Sequence, residues 1–187
     1  MPLSIHLRQA LFLVITFLVS YTCTGQKPSA IRQPAKAKPD STELVILKIR
    51  KEYARINADS AKYKVVSKNI DNLSTEGGEL TNYYEGGELV KSVIFLLGEM
   101  GKSKMEFYIA GDEIFFCYEQ IMHYDKPMYM QGSHIEITAV NRYYFNNQKI
   151  IRWLDNSLKI VSGNQYAAQT EKLLSLWKLA TLFNHEE

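Results

Sequence analysis

Three times in this chain a tyrosine is followed three residues later by glycine or asparagine, and three after that by leucine or isoleucine. The copies are Tyr83-Gly86-Leu89, Tyr108-Gly111-Ile114 and Tyr144-Asn147-Ile150. Glycine and asparagine supply the positive φ that a tight hairpin turn demands, and the flanking aromatic and aliphatic residues end one strand and begin the next. From Lys64 onward the apolar period is two. Met105, Phe107 and Ile109 alternate with Lys104, Glu106 and Tyr108. Ile135, Ile137, Ala139, Tyr143 and Phe145 alternate in the same way with His134, Glu136, Thr138, Arg142 and Tyr144. This grammar predicts an antiparallel meander of about six to seven strands, with one face in the core and the other polar and studded with tyrosines. The copies are unequally spaced, which argues against a solenoid.

Helical periods bracket the strands. Ile46, Ile49, Tyr53, Ile56, Ser60 and Tyr63 form one stripe, predicting an amphipathic helix to about Ala61. Asp40 is its expected N-cap and Glu43 faces the positive end of its dipole, while Lys48, Arg50, Lys51, Glu52 and Arg55 form a solvated face. A second helix is expected over Gln165 to Asn184, capped by Asn164, with Leu173, Trp177, Ala180 and Phe183 on one stripe. The fold class is therefore α+β, with both helices laid over the apolar face of the sheet.

Residues 1–25 read as a secretory signal peptide: Arg8, the apolar run Ala10 to Val19, then small and polar residues to Gly25. The run is about half the length of a spanning helix. Cleavage after Gly25 leaves about 160 residues, one domain able to build its own core. The competing reading is a lipoprotein acylated on Cys23, but Ser20-Tyr21-Thr22 departs from the usual lipobox. Residues 26–39 hold Pro28, Pro34 and Pro39 with Lys27, Arg32, Lys36 and Lys38 and no acid, an extended linker before a single domain over 40–187. Either processing route leaves Cys117 without a partner, and Ile114-Phe115-Phe116-Cys117-Tyr118 makes it a buried small hydrophobe.

The phrases Ser74-Thr75-Glu76-Gly77-Gly78-Glu79-Leu80, Tyr83-Tyr84-Glu85-Gly86-Gly87-Glu88-Leu89 and Gly98-Glu99-Met100-Gly101-Lys102 resemble an uncharacterised group of small secreted bacterial proteins. The resemblance covers roughly residues 45–155 and implies a hairpin fold and export, with no catalytic residue attached. The turn grammar is also similar to that of MORN repeats.

Chemistry is sparse. Acids flank Gly77-Gly78 and would repel a phosphate, no Ser sits in a nucleophile elbow, and a net charge of +2 gives no basic stripe for nucleic acid. Beyond the signal, the histidines are His123, His134 and His185. His134 and Glu136 are expected on one strand face, where His123 and Asp125 can approach them. They are the candidates for a metal or acid–base cluster, against the favoured reading of surface polar residues. The connection Asp125 to Ser133 is longer than hairpin closure requires. Its Met128, Tyr129 and Met130 are the expected partner-binding residues, with a satellite core against the sheet as the competing reading. The expectation is an exported non-catalytic binding protein, periplasmic or secreted, without cofactor or nucleic acid. Its partner is an envelope glycan or a protein, and it meets a membrane only through a lipid on Cys23. The alternative is a metal-assisted or carboxylate-based hydrolase.

Overall fold

The computed structural model describes residues 40–71 and 73–182. The expected signal peptide, linker, Cys23, His185 and Phe183 lie outside the described residues. A helix α1 (Ser41–Ala58) leads into strands β1 (Lys64–Ile70), β2 (Gly78–Glu85), β3 (Glu88–Gly98), β4 (Gly101–Ala110), β5 (Glu113–Tyr124), β6 (Ile135–Asn146) and β7 (Lys149–Leu154). A 3-10 turn, Gly163–Gln165, then opens helix α2 (Tyr166–Leu182). The strands pair antiparallel in chain order, giving one seven-stranded sheet with β1 and β7 at its edges. The α+β architecture is thus the expected one.

The three tyrosine phrases are three copies of one hairpin. Residues flanking each two-residue turn are paired: Glu85 with Glu88, Ala110 with Glu113, Asn146 with Lys149. Gly86, Gly111 and Asn147 have φ of +61°, +60° and +49°, as such turns require. Each copy also carries a β-bulge next to its tyrosine, at Tyr83/Tyr84, Tyr108/Ile109 and Tyr144/Phe145. The extra residue lies on the outgoing strand, at Val90, Phe115 and Ile151, and all three pack into the cluster beneath α1. A bulge adds twist and re-aims the side chains around it. Here it lets aromatic and aliphatic groups from both strands of each hairpin meet the same helix.

Both sheet faces are core, which corrects the expectation of a single apolar face. Phe107 and Tyr108 are neighbours in β4, so they point to opposite faces, and both have no exposed surface. On one face Leu173 and Trp177 of α2 pack with Leu80, Ile94, Met105, Phe107 and Phe145. On the other, Ile46, Ile49 and Ile56 of α1 pack with Tyr108, Phe116, Tyr144 and Leu154. The tyrosines are therefore the floor under α1. Their rings bury well while the hydroxyls find partners, so an alternation of Tyr with Arg or Glu can still make core.

Helix α1 crosses the strands. At its start Glu43 accepts from Arg152 of β7 at 2.6 Å, and at its end Arg55 donates to Glu85 of β2 at 2.7 Å. Eighteen residues of helix are about 27 Å long, and the five strand spacings from β2 to β7 are about 24 Å, so the lengths match. The helix stops at Ala58, short of the expected Ala61, because the Asp59 carboxylate accepts the Ala61 N–H and turns the chain. Asp40 caps α1 through its carbonyl, which accepts the Leu44 N–H, while its carboxylate takes the Ser41 hydroxyl proton instead of a helical N–H. Asn164 lies inside the 3-10 turn and so is not the cap of α2.

Candidate functional site

Along the flank of α1 the sheet opens into a pocket of about 300 Å³ lined by Ile49, Arg50, Tyr53, Phe116, Tyr118, Arg142 and Tyr144. Alternation along β5 puts Phe116 and Tyr118 on the α1 face, and the register sets Phe116 opposite Tyr144 and Tyr118 opposite Arg142. One turn of α1 supplies the remaining wall. The rings brace one another: Tyr53 lies 5.1 Å from Phe116 and 4.9 Å from Tyr108, and Phe116 lies 5.0 Å from Tyr144. Burial and the charge of Glu106 push the Tyr53 phenol up, so it stays a protonated donor at neutral pH.

Both guanidinium groups of the pocket lie over aromatic rings, Arg50 at 5.8 Å from the Tyr144 centroid and Arg142 at 5.4 Å from that of Tyr118. Neither has an ion-pair or hydrogen-bond partner among the described residues. Nη1 of Arg142 is closed off from solvent and unpaired. The Arg142 side chain as a whole is only partly buried and lines the cavity, so the rest of its guanidinium is placed to receive an anion entering from solvent. The nearby carboxylates are already engaged. Glu43 is held by Arg152, although it feels the charge of Arg50. Glu106, beneath the C-terminal half of α1, accepts from Lys104 at 2.6 Å, Lys91 at 2.8 Å and the Tyr108 hydroxyl at 2.7 Å. Burial pushes that carboxyl up, but the three donors outweigh it and hold its pKa at about 2. Asn57 closes the network by accepting from Lys91 at 3.3 Å.

Arg50 is exposed, as expected of a solvated helix face, and it also lines the cavity, where it joins Arg142 and Tyr144, the residues expected on a polar sheet face. The signal available was the run Arg142-Tyr143-Tyr144, a cation among tyrosines on a strand.

The candidates named from sequence sit elsewhere. Met128, Tyr129 and Met130 are exposed, at 44%, 75% and 49%, so the satellite-core reading fails. Their loop is ordered by backbone turns and by the β3–β4 turn: Tyr129 donates to Glu99 at 2.9 Å and the Met128 N–H to the Glu99 carbonyl at 3.0 Å. His134 precedes β6 and does not share a strand face with Glu136 as expected. It lies 3.4 Å from Asp125, whose carboxylate also accepts its N–H. His123 pairs across the strands with Glu136. Among the described residues no three His, Cys, Asp or Glu side chains gather as they would around a metal ion.

Cys117 is fully buried, as expected, and burial with the charges of Glu119 and Glu106 raises its thiol well above the usual range. Glu119 accepts from the Tyr143 hydroxyl at 2.6 Å and Asn141 at 2.9 Å, on the α2 side of the sheet. Trp153 extends that network through Asn141, and Gln169 of α2 through Tyr143. A second, open groove of about 750 Å³ runs between α2 and the β6–β7 turn, with Lys149, Glu171 and Lys178 among its lining residues. Its charges have both signs, and Thr170 is occupied in accepting the Ile150 N–H. The chain matches no family model, no curated protein and no solved structure.

Proposed function

We propose that this protein is an exported, non-catalytic binding domain that recognises a partner through the arginine and tyrosine pocket beside α1. The observation that carries the reading is Arg142: a guanidinium walled by aromatic rings, with an unpaired nitrogen and no counterion. Its ring contact with Tyr118 leaves the forked donors of the guanidinium without an acceptor among the described residues, and a bound anion would supply one. Among the described residues the lining contains no His, Asp, Glu, Ser or Cys, its tyrosines are paired with no base, and nearby Glu106 is engaged by two lysines, which weighs against the hydrolase alternative. Of the two partner classes, a protein fits better than an envelope glycan. Tyr, Arg and aliphatic side chains are the usual anchors of protein interfaces, whereas a sugar ring needs hydrogen-bond partners for most of its hydroxyls. Met128, Tyr129 and Met130 offer a second adaptable contact at the far end of β5, about 20 Å along the strand. Export rests on residues 1–25.

The test replaces Tyr118 with the photo-crosslinker p-benzoylphenylalanine in the full chain, expressed in its native cells. A discrete protein adduct that disappears when Arg142→Met is added is the expected result. An adduct removed by glycan-cleaving enzymes would transfer the reading to the glycan, and no adduct at all would overturn it.

A further inference from the structure

We infer that the pocket receives the C-terminal carboxylate of a partner protein, with the last side chain of that partner stacked among its rings. This rests on the binding reading of the same pocket. Two guanidinium groups with no ion-pair partner among the described residues define the head of the site, and Arg is the side chain whose forked donors match a carboxylate. The rest of the lining is Ile49, Phe116 and three tyrosines, so the ligand must bring an apolar group within a few ångströms of its anion. A C-terminal residue does this from one Cα. An internal Asp or Glu sets its carboxylate at the tip of its only side chain and leaves the rings uncovered.

The surface leading away from the pocket supports a peptide. Along β5 the α1-side residues after Tyr118 are Gln120, Met122 and Tyr124, and alternation leaves Glu119 and His123 on the opposite face. Met122 is paired with Ile137 and Tyr124 with Ile135, two isoleucines that are 54% and 40% exposed. Lys102 of β4 is the register partner of Met122 on the other side. From Tyr118 to Tyr124 this strip runs about 20 Å, the length of about six extended residues; the carboxylate beside its start, Glu106, is the register partner of Tyr118 and is already taken up by Lys91 and Lys104. An exposed apolar strip starting at an unneutralised pair of arginines has the charge pattern for a chain that ends in an anion.

The experiment titrates the full chain with acetylated tetrapeptides ending in Phe, Leu or Ala, each as the free acid and as the amide. N-acetyl-Ala-Glu-Ala-amide and galacturonate are the other probes. Binding is read from tyrosine and arginine chemical shifts and by calorimetry. The free acids ending in Phe and Leu should bind at least about tenfold tighter than their amides and than the internal glutamate, and more weakly as salt rises. Arg142→Met should weaken them about 10–100-fold while shifting Tm by less than about 2 °C, because no ion pair is broken and Met keeps much of the contact with the Tyr118 ring. A structural arginine would instead lower Tm. Equal binding of acid and amide, no binding of any peptide at millimolar concentration, or unchanged binding in Arg142→Met overturns the inference. If galacturonate binds and the peptides do not, or if the Tyr118 cross-link persists without any preference for the free acid, the pocket remains the binding site and only the C-terminal assignment fails.

Discussion

Glu106 is the residue on which the α1 face turns. It lies in the sheet beneath the C-terminal half of the helix, where Lys91, Lys104 and the Tyr108 hydroxyl all donate to it. Its pKa of about 2 lies below the ordinary 4.5, so the folded state binds its proton less readily than the unfolded chain. That contribution to stability is complete above pH 4.5 and is lost as the pH falls toward 2. Urea unfolding across this window should show the wild-type midpoint falling more steeply than that of Glu106→Gln. At neutral pH the substitution should cost about 2–3 kcal/mol, since it strands two partly buried ammonium groups. Parallel pH profiles for the two proteins would mean that another carboxylate dominates.

At the scale of elements, the three bulged hairpins do the same work at different positions. The turn of the third copy is built from Asn147 and Gln148, with φ of +49° and +56°, whereas the first uses Gly86 and Gly87. Asparagine tolerates the left-handed region; glutamine gains nothing from it. Gln148→Gly should therefore stabilise the protein by about 0.5–1 kcal/mol, less the entropy glycine adds to the unfolded chain. Thermal unfolding checks this, and a lower Tm would mean that the Gln148 side chain holds the groove beside α2. The ion pairs that pin the ends of α1 matter less. Glu43 and Arg55 are each more than two-fifths exposed, so solvent screens both pairs and they add little to stability. Ile46, Ile49 and Ile56 hold the helix.

For the whole molecule, a sheet with α1 on one face and α2 on the other leaves the far halves of β5 and β6 without a covering layer. There Ile121, Ile135 and Ile137 are exposed, next to the loop of Met128, Tyr129 and Met130. Such a surface can be changed without loosening the core. Replacing Met128, Tyr129 and Met130 together with Ser should shift Tm by less than about 2 °C, because little apolar area leaves the interior. A fall of several degrees in a thermal scan would show that the bond from Tyr129 to Glu99 secures the β3–β4 turn.

The sequence by itself determined the local elements. Turns at Gly86, Gly111 and Asn147, strands from Lys64 onward, and the two flanking helices follow from φ preferences and from periods of two and 3.6, which are properties of neighbouring residues. Cys117 was legible for the same reason, lying in an unbroken apolar run. The second core was not. Tyr108, Tyr144, Glu106 and Arg142 alternate as they would on a wet sheet face, and a tyrosine is compatible with either environment because its ring favours burial and its hydroxyl favours water. Only the crossing of α1 from β7 to β2 decided that these residues lie under a helix. Tyr118 and Arg142, remote in sequence, meet because the register of the meander pairs them, and the packing of α1 on that face brings Arg50 to them. Register is a pairing between distant segments, and nothing local to any one of those three residues specifies it.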